Sequence, residues 1–178
     1  MKVRQMYPVI MKWLWVVPFI FGLLIAVFSP LDILKYDIAQ FIVSVMGFFA
    51  PMIDKVKGQY EMSQVVQFYF SVMWLMSPLM YFSFLEGGHI ADGEKFVSGV
   101  KKHKILVPVL FVSLAFLAFW ACVLTGPGPA NVYDVRTHLT LHTRFGLATY
   151  GFILPSGTAL MLALLVMLKR NFFKIYLN

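Results

Sequence analysis

Residues Ile105–Thr125 read ILVPVLFVSLAFLAFWACVLT, 21 consecutive residues without a charge. Crossing the hydrocarbon of a bilayer takes about 20 mostly apolar residues as helix, because lipid offers no partner to an unpaired backbone N–H or C=O. Three other stretches meet the same test: Val9–Phe28, Val65–Leu85 and Phe145–Leu168. Together they explain why 60% of the 178 residues are hydrophobic and only 13% charged. A globular chain carries roughly 25% charge, and a soluble domain of this length cannot hide so much apolar surface. The pattern predicts an all-α membrane protein: one helical domain over 1–178 with four transmembrane helices. It excludes an ordinary soluble enzyme, a disordered tail and a disulfide scaffold, the last also because Cys122 is the single cysteine.

Lys12 interrupts the first span near its start, where a long stem reaches the head groups, and Trp13 and Trp15 beside it suit the membrane interface. No small-x-small cleavage site follows this run, so it reads as an uncleaved span rather than a signal peptide. Pro18, Pro78 and Pro155 predict kinks within spans one, two and four, whereas Pro108 falls in an opening turn where its ring is tolerated.

Between spans one and two, Leu31–Ile53 is greasy but short. Its apolar core, Phe41 to Ile53, has 13 residues, which suits an interfacial or re-entrant segment better than a fifth span. Asp32, Tyr36, Gln40 and Ser44 recur every four residues and would share one face of a helix lying in the outer interface.

The net charge of +7 has a topological reading. Placing the N-terminus, the Glu86–Lys104 loop and the C-terminal tail in the cytoplasm puts ten basic residues there and five on the opposite side. Basic residues in short loops mark the cytoplasmic face, so both termini are expected inside. This accounts for the surplus without nucleic acid as a partner. Lys101-Lys102-His103-Lys104 serves as a topology anchor in the same scheme. Ala115, Ala118 and Cys122 on the third span and Gly151, Pro155, Ala159 and Ala163 on the fourth form small-residue stripes. Such stripes let helix backbones approach closely, and they predict that these two spans pack as a hairpin.

Charge placement also narrows the function. No Asp, Glu, Arg, Lys or His falls in the middle of any span. Proton relays, voltage sensors and ion-coupled transporters need such groups at membrane depth, and a membrane b-type haem needs histidines there. The sequence contains no G-x-S-x-G, H-E-x-x-H, phosphate loop or C-x-x-C. Asp134, His138 and His142 are spaced by four and would share a helical face, so they form the one candidate metal group, for zinc or copper. Against this stands an ordinary polar loop helix that also carries Arg136, Thr137, Thr140 and Arg144. Gln64, Gln67 and Ser71 form a polar stripe at the start of span two, suited to bonding a neighbouring helix or to lining a small path.

In size and layout alone the chain is similar to four-span basic immunity proteins of the bacterial inner membrane. Plasmid entry-exclusion proteins and small secretion subunits are comparable. No motif carries that likeness, and it assigns no site residue. The leading expectation is a non-enzymatic protein, without cofactor, that contacts another membrane protein or a membrane-inserted toxin. Asp32, Tyr36, Gln40, Gln64, Gln67 and Ser71 are its candidate contact residues. A membrane enzyme or metal-handling protein using Asp134, His138 and His142 is the first alternative. A small oligomeric transporter is the second. Short loops and the lack of N-x-S/T sequons fit a bacterial inner membrane.

Overall fold

The computed structural model describes residues 10–58, 61–87, 93–120 and 142–176. Among these residues every regular element is helical. Three helical runs are long and apolar enough to cross a membrane: Ile10–Phe28, Ser63–Glu86 and Arg144–Arg170. A bent pair, Phe96–Lys102 with Leu106–Phe119, brings the count up to four if it is taken as one span.

The prolines act through the carbonyl four residues before them, because proline has no N–H to donate to it. In the first run the helical ladder breaks at Leu14–Trp15, and α1 proper is Val16–Phe28. The Leu14 carbonyl, which Pro18 cannot reach, accepts from the Val17 amide at 3.3 Å instead. The second run, α4 (Ser63–Glu86), continues through Pro78. There the orphaned Trp74 carbonyl accepts from Ser77 Oγ at 2.8 Å, so a side chain replaces the missing donor. The last run divides at Gly151-Phe152 into α7 (Arg144–Tyr150) and α8 (Ile153–Arg170). Pro155 therefore lies in the opening turn of α8, and the break precedes it. The kinks expected at Pro18 and Pro155 are corrected to interruptions about one turn upstream.

Between α1 and α4 lie a 3-10 turn (Ile33–Lys35), α2 (Asp37–Phe49) and α3 (Met52–Lys55). Tyr36 sits between the turn and α2 with extended backbone (φ −90°, ψ 128°). This breaks the register, so Asp32 and Tyr36 do not share a helical face with Gln40 and Ser44 as their spacing suggested. α2 turns its small and slender residues, Ala39, Val43, Met46 and Gly47, towards the core, and Ile38, Phe41, Phe48 and Phe49 outward.

The main core gathers around the first half of α4. Val65, Val66, Tyr69, Phe70 and Met73 pack with Ala26, Val43, Met46, Met52, Ile53 and Leu147. α8 lies along α4, and its small-residue stripe serves that contact. A Cβ built on Gly151 would come within 2.9 Å of Tyr69 Cε1, and Ala159 belongs to the α4 core. The bulky side chains of α4 need the room that the small residues of α8 leave. The third-span helix, α6 (Leu106–Phe119), has no buried residue and rests against the other side of α8. Val107, Phe111, Ala115 and Ala118 are among its half-buried positions. The two spans pack against each other as expected, but not through two matched small stripes: Ala118 of α6 faces α8, whereas Ala159 of the α8 stripe faces α4. Cys122 lies outside the described residues.

At the Glu86 end, Arg170 Nη1 meets Glu86 Oε1 at 2.7 Å and ties α8 to α4. Ser83 Oγ lies 3.5 Å from the Lys12 carbonyl, which brings the start of the first run to the same end. The stretch expected as a loop here contains a helix, α5 (Gly93–Lys102), set at 108° to α6. Its Phe96 and Val100 bury against Leu168 of α8 and Ile175 of α9 (Phe172–Tyr176), while Lys101 and Lys102 stay exposed.

Candidate functional site

The polar side chains singled out in the sequence converge at the opposite end of the bundle, on the first two turns of α4. Gln64 Oε1 accepts the Leu34 amide at 3.2 Å, and Gln40 Nε2 donates to the Leu34 carbonyl at 2.6 Å. The two peptide groups that flank the Leu34 Cα are thus each held by a glutamine. Gln67, almost fully buried, donates through Nε2 to the Ile53 carbonyl at 3.1 Å. Ser71 Oγ turns back to the Gln67 carbonyl at 2.7 Å.

These bonds fix the path of the 31–53 segment. Its beginning is anchored to Gln64 and its end to Gln67, and these two positions are separated by about 4.5 Å along a helix axis. The chain therefore leaves α4's first turn and comes back to it. A passage across a bilayer would have displaced one end from the other by about 30 Å. Removing the Gln67 anchor should loosen the return. Gln67→Leu is expected to cost about 1–2 kcal/mol by stranding the buried Ile53 carbonyl. Limited proteolysis of purified protein should then cut the 50–58 region faster, and an unchanged cleavage rate would refute the anchoring.

The exposed pair Asp32 and Lys35 is joined at 2.9 Å. The Lys35 hydrogen bond holds the Asp32 carboxyl below the usual carboxylate range, and the same contact raises the Lys35 ammonium. Water screens both groups, so the pair orders the turn without adding much stability. Tyr36 is exposed beside it, with Lys35 Nζ 5.2 Å from the ring centroid.

No family model, curated protein or solved structure matches this chain. Chemistry at this end has to be read from the side chains themselves.

The residue that sequence reasoning missed is Arg144. Its Nη1 donates to the carbonyls of Ala26 and Val27, both at 3.0 Å, and its Nη2 to that of Ser29 at 2.8 Å. These carbonyls belong to the C-terminus of α1, whose final acceptors have no intrahelical donor and carry the negative end of the helix dipole. The local sequence aims the guanidinium there. Thr143 caps α7 by accepting the Gly146 amide on Oγ1 at 2.9 Å, which starts the helix with Arg144 at its first position. The available signal was position: Arg144 abuts a span on the side where basic residues are scarce.

Of the proposed metal group, Asp134 and His138 lie outside the described residues. His142 is exposed, just before the Thr143 cap. Among the described residues no three His, Cys, Asp or Glu side chains converge. Tyr69 of α4 has its hydroxyl buried without a hydrogen-bond partner among the described residues. Its ring is flanked by Gly22 of α1 and by Gly151, at the level where three helical runs meet. These bonds and contacts join α1, α2, α4 and α7 at one end and leave one face of α2 exposed.

Proposed function

We propose that this chain is a small polytopic membrane protein that works by contact with another membrane component, as an accessory subunit or an immunity- or exclusion-type protein. The observation that carries this reading is α2. The segments on either side of it are anchored by Gln64 and Gln67 of α4, and α2 packs its small face on α4 and leaves Ile38, Phe41 and Phe48 between 69% and 83% exposed. An exposed apolar face of this kind suits a partner that is itself within or on the bilayer. Within the helical runs, by contrast, the hydroxyls of Ser71, Ser77, Thr149, Ser156 and Thr158 are turned to backbone carbonyls of their own helices. The charge pattern favours both termini in the cytoplasm, and the short loops without N-x-S/T sequons favour a bacterial inner membrane; in that orientation α2 would lie at the outer face.

The test is photo-crosslinking in cells from Phe41 and Phe48, with Leu162 of α8 as the control position. The expected result is one discrete protein adduct, with the same membrane protein identified from both α2 sites and absent from Leu162. Adducts to lipid alone at all three positions would overturn the reading.

A further inference from the structure

A groove of about 310 Å³ lies between α4 and α8, near the lower bound for small-ligand sites. Trp74, Pro78 and Phe82 line it from α4, and Ala159 and Leu162 from α8. Ser77, Tyr81 and Thr158 also line it, but Ser77 donates to the Trp74 carbonyl and Thr158 to the Leu154 carbonyl, and the surface of the wall is nearly all apolar. From Trp74 to Phe82 the groove runs about 12 Å along the helix axis, close to the depth of one hydrocarbon leaflet at about 15 Å. Its stripe on α8 does not end at Leu162. Lys169 stands seven residues on, nearly two full turns and so on the same face, about 10 Å nearer the Glu86 end. Lys169 is exposed, and beside it Arg170 is bonded to Glu86, which follows Phe82 by one turn on α4.

A second cavity of about 340 Å³ between α6 and α8 provides the contrast. Its α8 stripe of Leu154, Gly157 and Met161 continues to Leu164 and Leu168 without a charge. On its α6 wall the exposed Lys104 stands 14 residues before Ala118, about 21 Å along the axis and twice as far as Lys169 is from Leu162. Of these two, the α4–α8 groove is the one whose α8 stripe leads directly to an exposed cation, Lys169.

We propose that this groove holds one acyl chain of an anionic phospholipid whose phosphate is bound by Lys169. The occupant follows from the two ends of the site. The trough takes hydrocarbon, and the ammonium selects a negatively charged head group over a zwitterionic one. This goes beyond the contact function of α2, because the groove runs from the middle of α4 towards the Glu86 end and none of the residues that anchor the 31–53 segment line it.

Trp74 in the groove wall supplies the probe. Full-length protein with Trp13, Trp15 and Trp120 replaced by phenylalanine retains Trp74 as its only tryptophan. It is reconstituted with either brominated phosphatidylglycerol or brominated phosphatidylcholine, whose chains quench a tryptophan they touch. Phosphatidylglycerol is expected to quench Trp74 at an about fivefold lower mole fraction, the preference one basic residue gives. Lys169→Gln should abolish that preference while leaving quenching by phosphatidylcholine unchanged. Leu162→Phe, which fills the groove from a half-exposed position, should weaken quenching by both lipids. Equal quenching by the two lipids with Lys169 intact, or a preference that survives in Lys169→Gln, would overturn the proposal.

Discussion

Arg144→Ala is expected to destabilise the protein by about 3 kcal/mol, the loss of charge-assisted hydrogen bonds to backbone acceptors that then lack partners. The guanidinium reaches three carbonyls within 3.0 Å, all from the end of α1. Those acceptors cannot be satisfied from within the helix, and Ser29 leaves it with extended backbone. In the alanine variant water must replace the guanidinium beside half-buried residues, and the favourable meeting of a cation with the helix C-terminus is lost. Arg144→Met keeps the apolar stem and should lose nearly as much, which separates hydrogen bonding from packing. Arg144→Lys should retain only a minor part. An ammonium is a point charge, whereas the planar fork of arginine addresses several acceptors at once. Equilibrium unfolding in mixed detergent micelles, followed by circular dichroism, measures all three. Losses below about 0.5 kcal/mol, the usual value of a surface contact, would show that the three bonds add nothing.

Much of this bundle was legible because lipid imposes a simple rule on sequence. The second span, expected at Val65–Leu85, forms as Ser63–Glu86. An uncharged run must be helical in hydrocarbon, and Gly87 ends it. The long apolar runs at Val9–Phe28 and Phe145–Leu168 were equally visible. Interruptions inside them were not, because the effect of Pro18 and Pro155 appears four residues earlier, where Leu14 and Gly151 carry no warning. The helix α5 was hidden for a different reason. Phe96 and Val100 show the four-residue spacing of a buried stripe, but the lysines around them drew the segment into the loop count. At the candidate site, Gln64 and Gln67 could be read as polar groups awaiting a neighbour. Their partners could not, because both are backbone atoms of the 31–53 segment, and backbone leaves no mark in a sequence. Arg144 shows the same limit at longer range, since its acceptors lie over a hundred residues away.

Gly151→Ala is expected to cost about 2–3 kcal/mol by overpacking at the junction of three helical runs. The added methyl would press on the Leu147 carbonyl and stand 2.9 Å from Tyr69 Cε1, and neither atom can swing aside. The ring is fully buried and packed edge-on against Phe70 at 5.5 Å between centroids. Gly22→Ala, on the other side of the ring, should cost only about 1 kcal/mol, at the lower end of such effects. Its nearest contact is Met73 Sδ at 2.9 Å, near the tip of a flexible side chain, followed by the Tyr69 hydroxyl at 3.2 Å. Tyr69→Phe removes a buried hydroxyl that has no hydrogen-bond partner among the described residues and should stabilise the fold by about 1 kcal/mol. The two glycines then respond differently to it. Tyr69→Phe should partly relieve Gly22→Ala, which meets the hydroxyl, and leave Gly151→Ala unchanged, which meets the ring carbon. Double-mutant cycles in the same unfolding assay read both couplings. A destabilised Tyr69→Phe, or equal coupling to the two glycines, would mean that the hydroxyl is held by a partner and that Tyr69 is not wedged between two bare backbones.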